Sequence, residues 1–229
     1  MKLEPLGDTA VVATLATRID AAVLSSVLRL AGSIVSAGGR GILDVVPAYT
    51  TVTVFYDPVQ FSGAGEDAYD VVCRFVAACA MRRAAGAPAP ARKLVEIPVC
   101  YGGEYGPDIG DVAGHAGAEA SDVVAWHAGA RYLVHAIGFT PGFPFLGGLP
   151  DSICTPRRGT PRSRVPAGSV GIGGRQTGVY PIASPGGWNI IGRTPLALFS
   201  PERSPASLLM PGDRVRFRRI TEKDFESWK

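Results

Sequence analysis

The stretch GFTPGFPFLGGLPD (138–151), followed by TPRRGTPRSRVPAGSVGIGGRQTGVYPIASPGGWNIIGRTPLALF (155–199), decides the fold of this chain. Residues 138–192 contain 13 glycines and 8 prolines, yet hydrophobic residues recur throughout, which a disordered linker would lack. Glycine supplies positive φ and proline presets φ in tight turns. The composition therefore predicts short strands joined by many turns, in a closed or sandwiched β-structure.

The sequence around this stretch adds a few more elements to the second half. Apolar alternation predicts strands, and apolar runs that end at a glycine predict short helices. The expected elements are strands over 94–99, 131–137 and 215–217, and helices over 108–115 and 121–127. The second half is therefore expected to be mainly β-structure.

The first half has an alternating pattern of strands and helices. Strands are predicted over 2–6, 11–15, 42–46 and Thr51–Tyr56, one helix between Asp20 as N-cap and Gly38 as stop, and a second helix over 66–83. This ββαββα order fits a small antiparallel sheet with both helices on one face.

A linker is predicted between the two halves. Residues 84–92 (AAGAPAPAR) have the small-residue and proline composition that is typical of linkers. The sequence thus predicts an α+β protein with an N-terminal α+β domain over 1–88 and a C-terminal β-domain over 92–229.

Composition excludes several classes of protein. Of the 229 residues, 46% are hydrophobic, which is enough for a sizeable core. No apolar stretch approaches the roughly 18–20 uncharged residues of a membrane span. The N-terminal MKLEPLGD carries acidic residues where a signal peptide needs an apolar run. Four cysteines form no C-x-x-C pair and are too few for a disulfide framework, so we expect a soluble cytoplasmic protein with reduced thiols.

The net charge of +3 is unevenly distributed. Residues 152–201 contain six arginines and no acidic residue, so they create a local positive potential that favours an anion. The alternative is a solvated surface whose charge is balanced by acids from elsewhere in the fold. The aromatic residues of this segment are not interleaved with its arginines as a nucleic-acid platform requires, so a nucleic-acid partner is not expected.

Three motifs of common enzyme classes are incomplete. The sequence AGSVG (167–171) resembles the G-x-S-x-G elbow, but every histidine precedes Ser169, which excludes an α/β-hydrolase and leaves Ser169 as a predicted turn residue. The sequence GWNIIGRT (187–194) resembles a phosphate loop, but its interior is bulky and arginine replaces the lysine. Residues 168–174 do not satisfy G-x-G-x-x-G, so no dinucleotide site is expected.

The three histidines lack the spacing of metal ligands, so no metal site is predicted. His135 shares a predicted strand face with Leu133 and Ile137, as a core or interface histidine would. His127 lies at the end of a predicted helix and just before a strand, where its side chain can face a cleft.

The long motif at 138–199, together with PGDRVRF (211–217) and IPVCYGGEYGPD (97–108), resembles the family of 5-oxoprolinase B subunits, also called allophanate hydrolase subunit 1 or KipI-like. The resemblance implies an N-terminal α+β domain and a C-terminal cyclophilin-like β-barrel. It also implies pairing with a homologous C subunit. When the A subunit joins this pair, the complex is an ATP-dependent amidohydrolase that opens 5-oxo-L-proline to L-glutamate.

The resemblance leaves other roles open. Related modules serve in urea carboxylation, from which the allophanate name derives, and one branch inhibits a histidine kinase without chemistry of its own. Because this chain has no nucleotide loop, we expect ATP to bind at the level of the complex and the isolated chain to be inactive.

The chemistry of 5-oxoproline suggests which residues bind it. A small carboxylate with a neutral amide needs an arginine for its charge and neutral groups for its ring. The candidates are Arg157, Arg158 and Arg164 for the carboxylate, Gln176, Tyr180 and Asn189 for the ring, and His127 as the base that assists proton transfer. Because 138–148 is aromatic and rich in turns, we expect these residues in a cleft shared with a partner subunit, with His127 and the arginines of 157–164 on its wall.

Overall fold

The computed structural model describes residues 1–61, 65–83 and 93–228. They divide between two compact units, Met1–Ala91 and Arg92–Lys229, and each unit has its own hydrophobic core. The linker predicted over 84–92 lies outside the described residues. Within the described ranges, no helix combines the length and the apolar character needed to cross a membrane.

The first unit is a four-stranded antiparallel sheet with helices packed on it. Its elements in chain order are β1 (Lys2–Pro5), β2 (Ala10–Thr14), α1 (Ala21–Ala37), β3 (Ile42–Ala48), β4 (Thr51–Tyr56), α2 (Pro58–Phe61) and α3 (Ala68–Arg83). The strand order is β1-β2-β4-β3. The short helix α2 has no counterpart in the sequence-based assignment, because one turn is too short to show a helical period.

Helix α1 begins and ends where its sequence predicts. The Asp20 carboxylate accepts a hydrogen bond from the Val23 N–H at 2.8 Å, and Gly38 ends the helix with a left-handed φ of 61°. Its apolar side packs against the alternate residues of β4 that point inward, Val52 and Val54. These contacts hold the first unit together.

The second unit is a closed β-barrel. Its elements are β5 (Leu94–Tyr101), α4 (Ile109–Ala116), α5 (Ala120–Gly129), β6 (Tyr132–Ile137), β7 (Pro144–Gly147), a 3-10 turn (Asp151–Ile153), β8 (Arg162–Val165), β9 (Ser169–Gly173), β10 (Gln176–Val179), β11 (Ser184–Gly186), β12 (Asn189–Arg193), β13 (Arg214–Arg219) and α6 (Glu222–Glu226). Seven strands close the barrel in the order β10-β7-β6-β13-β5-β12-β9, and β8 pairs separately with β11.

The predicted α+β class, with a small antiparallel sheet followed by a barrel, is confirmed. One residue of the barrel was assigned wrongly from the sequence. Ser169 is buried at the start of β9 rather than in a turn, because Gly168 with φ 82° makes the turn before it. The helix α6 is a further element that the sequence pattern did not indicate.

Candidate functional site

A pocket of about 460 Å³ opens on the barrel unit. Its walls come from the strands β7 and β11 and from the loops next to β7, β8, β10 and β12. Its aromatic and charged lining residues are Phe139, Phe143, Phe145, Arg157, Arg158, Tyr180 and Trp188. We call this cavity the aromatic pocket.

The floor of the aromatic pocket is a rigid aromatic cluster. Phe143 is 2% exposed and lies edge-on to Phe145, Tyr180 and Trp188, with ring centroids 4.9, 5.2 and 5.4 Å away. Trp188 packs directly on the backbone of Gly173, where an added Cβ would lie 2.7 Å from the indole ring. Edge-on aromatic packing of this kind adds about 1 kcal/mol per pair beyond area burial, so the floor is preorganised.

The rim of the aromatic pocket contains a strained residue. Phe139 has a φ of 68°, which a side chain other than glycine rarely adopts, and 63% of it is exposed. The Thr140 N–H donates to the Gly138 carbonyl at 2.8 Å, which closes a three-residue γ-turn around Phe139. Such a conformation costs about 1–3 kcal/mol and is found mainly at functional sites.

A buried carboxylate lies behind the arginines of the pocket. The Asp108 side chain, 3% exposed, precedes α4 and accepts two hydrogen bonds from Arg162, at 2.8 and 2.6 Å. It also accepts one from Arg158 at 2.8 Å and one from the Ile190 N–H at 2.7 Å. With both its oxygens bonded and two cations beside it, Asp108 fixes the loop before β8 to the barrel.

Backbone contacts reinforce this attachment. The Arg158 N–H donates to the Gly187 carbonyl at 2.8 Å, and the Asn189 amide donates to the carbonyls of Pro156 and Ile172 at 2.8 and 3.2 Å. The loop that carries the arginines is therefore held against the loop that carries Trp188.

Arg157 differs from its neighbour Arg158. It is exposed, its guanidinium lies 5.9 Å from the centroid of the Trp188 ring, and it forms no ion pair with any described residue. Asp111 makes a second, longer contact of 3.3 Å with Arg158. Among the described residues, the ion pairs of Arg158 and Arg162 are with Asp108 and Asp111, and the positive charge of Arg157 is left unmatched.

Tyr180 contributes a neutral hydrogen-bonding group to the pocket. Burial raises the pKa of its phenol, while the Trp188 backbone N–H, bonded to the hydroxyl oxygen, and the nearby Arg157 and Arg162 oppose that rise. Its phenolic proton is given to no acceptor in the part of the chain that the structure describes. Tyr180 is therefore a hydrogen-bond donor at neutral pH.

His127 lies in a different place, inside the barrel. It is 0% exposed and stacks on Phe217 with ring centroids 4.5 Å apart. Its Nδ1 is 2.8 Å from the Tyr101 hydroxyl, and its Nε2 is 2.9 Å from the Thr177 hydroxyl. We call the hydrogen-bonded residues Tyr101, His127 and Thr177 the histidine cluster.

The proton positions in the histidine cluster follow from counting donors. The Thr177 hydroxyl donates to the Gly171 carbonyl at 3.0 Å, so its oxygen accepts the Nε2–H of His127. Nδ1 then accepts from the Tyr101 hydroxyl. Burial lowers the pKa of His127 to about 3 and raises that of Tyr101, so both stay neutral at pH 7.

Similarity to known proteins extends along the whole chain. A sequence model of the carboxyltransferase domain, subdomain C and D, matches residues 1–209. The B subunit of 5-oxoprolinase from Bacillus subtilis (strain 168) is 43% identical over 236 aligned residues, which cover all of this chain and 96% of that protein. The chain belongs to the family of 5-oxoprolinase B subunits.

Two further similarities agree with this family. The 5-oxoprolinase B subunit of Escherichia coli O157:H7 is 43% identical over 212 residues, which cover 93% of each protein. The crystal structure of TTHA0988 superimposes with a TM-score of 0.78 and 36% identity over 92% of this chain. This chain spans only 40% of TTHA0988.

The structure of this member of the 5-oxoprolinase B-subunit family brings together three of the predicted binding residues, Arg157, Arg158 and Tyr180, in the aromatic pocket. Arg164 is exposed on β8 and does not line it. Gln176 begins β10, outside the lining, and the Asn189 amide is bonded to backbone carbonyls.

The structure places His127 differently from the sequence-based prediction. The sequence places it on the wall of a cleft, whereas in this family member it is fully enclosed and both ring nitrogens are bonded within the chain. Its catalytic role stays a prediction. The arginine run is also partly balanced by acids from elsewhere, because Asp108 pairs with Arg158 and Arg162.

Three residues of the site were missed from the sequence. Asp108 is 50 positions from Arg158, and nothing in a single sequence indicates that the two pair. Phe139 and Trp188 belong to stretches whose aromatic character is visible, but only the folded turns bring them to one cavity.

In the described ranges, no group of three or more histidine, cysteine or acidic side chains is arranged to hold a metal ion.

Proposed function

We propose that this chain is the B subunit of an ATP-dependent 5-oxoprolinase, which opens 5-oxo-L-proline to L-glutamate together with its A and C subunits. The observation that carries the proposal is the 43% identity, over the whole chain, to a protein named as the B subunit of 5-oxoprolinase. The aromatic pocket supports it, because it offers a cation, aromatic walls and a neutral donor to a small cyclic amide acid.

Opening an unstrained lactam at neutral pH requires activation of its carbonyl. Phosphorylation of the amide oxygen by ATP would make the carbonyl carbon more electrophilic. Addition of water would then break the C–N bond with protonation of the ring nitrogen, and a second water would hydrolyse the resulting acyl phosphate to glutamate and phosphate. Residues 187–194, the sequence nearest to a phosphate loop, include the strand β12 and open no helix. We therefore assign the nucleotide to another subunit, and the isolated chain is expected to be inactive.

The geometry of the histidine cluster bears on proton transfer. A base whose pKa is lowered to about 3, and whose two nitrogens are already bonded, has no free lone pair for a substrate. The contacts of His127 therefore favour a role in joining β5 to β10 across the barrel interior. Under the proposed function, the group that moves the proton belongs to the assembled complex.

Reconstitution tests the proposed function. The chain and the A and C subunits are purified and mixed in all combinations with ATP and 5-oxo-L-proline, and glutamate formation is measured. Only the complete mixture is expected to turn over. ATP-dependent turnover by the chain alone, or undiminished turnover without it, would contradict the proposal.

Urea and allophanate serve as alternative substrates in the same assay. Turnover of either one, with none of 5-oxoproline, would assign the chain to the carboxylase-related branch of its family. Absence of all three activities, together with inhibition of a histidine kinase, would assign it to the inhibitor branch.

A further inference from the structure

We propose that the aromatic pocket is the site at which this chain binds a small, flat ring that carries a single carboxylate. The identity of the ligand as 5-oxo-L-proline rests on the proposed function, whereas the place and the chemical class rest on the pocket. Arg157 would bind the carboxylate, and the aromatic floor would bind the ring.

Charge decides the class of ligand. Two of the three guanidinium groups at the pocket are matched by Asp108 and Asp111, and no acidic side chain lines the cavity within the described residues. One positive charge therefore faces an incoming anion. A monocarboxylate matches it, whereas a dianion such as phosphate would leave a negative charge without a partner.

The guanidinium group of Arg157 retains donors for that anion. Arg157 is held over Trp188 and has no ion-pair partner among the described residues, so its donors point to no other acceptor. An arginine fork that is free of other acceptors can donate two parallel N–H bonds to one carboxylate.

The shape of the pocket decides the body of the ligand. The rings of Phe143, Tyr180 and Trp188 line the cavity with apolar surface, and a volume of about 460 Å³ lies in the range of small-molecule sites. The free phenolic proton of Tyr180 can be donated to a ring carbonyl. A lactam ring would contact the aromatic side chains and accept the Tyr180 proton at its carbonyl oxygen.

Phe139 contributes an exposed aromatic ring to the rim of the pocket. Its ring lies 5.6 Å from that of Phe143 and 6.4 Å from that of Tyr180, yet it remains 63% exposed. The strained turn leaves this ring exposed while it lines the cavity. A ligand of ring size would supply that burial.

Binding to the full chain tests the assignment. Calorimetric or NMR titration with 5-oxo-L-proline is compared with 2-pyrrolidinone, which has the same ring and no carboxylate. We expect 5-oxo-L-proline to bind at least tenfold more tightly. Arg157→Ala should weaken its binding at least tenfold, and Arg164→Ala, an exposed arginine of the same run, should change it less than twofold.

The reconstituted complex gives a second readout. Arg157→Ala should raise the KM for 5-oxoproline at least tenfold with kcat within twofold, because the carboxylate contact acts on substrate and transition state alike. Unchanged melting temperatures verify that the variants fold. An active complex in which Arg157→Ala changes neither KM nor affinity would overturn the pocket assignment and leave the proposed function intact.

The opposite failure is also distinguishable. If the complex does not turn over 5-oxoproline but the chain binds it in an Arg157-dependent way, the pocket assignment stands and the proposed function fails. Equal affinity for 2-pyrrolidinone would overturn the monocarboxylate class. Binding of an acidic peptide at this pocket, with no binding of 5-oxoproline, would also overturn it.

Discussion

The histidine cluster and the aromatic pocket are two polar regions of the same barrel, and they differ in how their hydrogen-bonding groups are used. In the cluster, both nitrogens of His127 are bonded and every partner lies within the chain. In the pocket, neither an ion pair of Arg157 nor a hydrogen bond of the Arg158 Nε–H is formed with any residue that the structure describes, and Phe139 has a strained backbone.

This difference teaches where function is to be sought in the barrel. A buried polar group whose partners are all internal stabilises one arrangement of strands and leaves nothing for a ligand. A partly exposed group with unused hydrogen-bond donors adds little to the stability of the fold, and such groups are typical of ligand-binding sites. Sequence chemistry alone gives both regions equal weight, because histidine and arginine are common in active sites.

The largest expected effect comes from the carboxylate beneath the pocket. Asp108→Asn should destabilise the barrel unit by about 3 kcal/mol, because two guanidinium groups lose the charge that they share. This loss of stability is at the low end of the range for a broken buried ion pair, because the two arginine side chains are 32% and 30% exposed and can be hydrated by water. Urea unfolding of the purified chain measures it.

Asp111→Asn is the matched control. Asp111 is 67% exposed and contacts Arg158 at 3.3 Å, so its loss should cost no more than about 0.5 kcal/mol. If Asp108→Asn lowered the free energy of unfolding as little as Asp111→Asn, the pocket walls would not depend on the buried carboxylate. The contrast between fully bonded internal groups and pocket groups with unused donors would then fail.

The second prediction concerns the histidine cluster and pH. The pKa of His127 is lowered in the folded chain, so below its ordinary value of 6.5 the unfolded chain binds a proton that the folded chain does not. Stability should therefore fall as the pH falls from 7 to 5, by about 2 kcal/mol from this group. Tyr101 and Tyr132, whose pKa values are raised, do not titrate in this window.

His127→Gln isolates this contribution, since glutamine does not titrate. Unfolding free energies of both proteins are measured at pH 7 and pH 5, and the wild type should lose about 2 kcal/mol more than the variant. Equal losses would show that His127 is protonated in the folded chain or open to solvent. A tenfold loss of activity in a stable, assembled His127→Gln complex would support the catalytic role instead.

The smallest expected effect is at the rim of the pocket. Phe139→Gly should change the unfolding free energy by less than about 0.5 kcal/mol, because relief of the positive φ offsets the lost ring contacts. Thermal unfolding measures the change, and ligand affinity should fall even though stability does not. Phe143→Ala, in the buried floor, should cost about 3 kcal/mol in the same assay. A similar cost at both positions would mean that Phe139 is part of the core.

Much of the fold was predictable because it depends on local signals. Asp20 and Gly38 mark the ends of α1, and the alternation of Thr51–Tyr56 defines β4, since caps and side-chain periods are properties of neighbouring residues. Strand partners inside the barrel were not predictable. Nothing local shows that β5 lies between β12 and β13.

The site was predictable only as a set of residue types. Arg157 and Tyr180 were among the candidates because their chemistry suits a carboxylate and a ring, and both line the pocket. His127 was assigned to a cleft because a single sequence does not reveal which helix end faces inward. Asp108 was missed because its role in holding the pocket walls depends on ion pairs with arginines about 50 positions away.

The parallel pairing of β5 with β13 also governs when the barrel can form during synthesis. Leu94 pairs with Arg214, so the barrel closes only after the chain has been translated through residue 219. Until then the sides of β5 and β6 that pair with β13 are open edges, and such edges associate readily with other chains. The first unit can fold as soon as it emerges from the ribosome, whereas the barrel can close only when Arg214–Arg219 has emerged as well. Nascent chains that stall before residue 214 are therefore expected to aggregate through the barrel half alone.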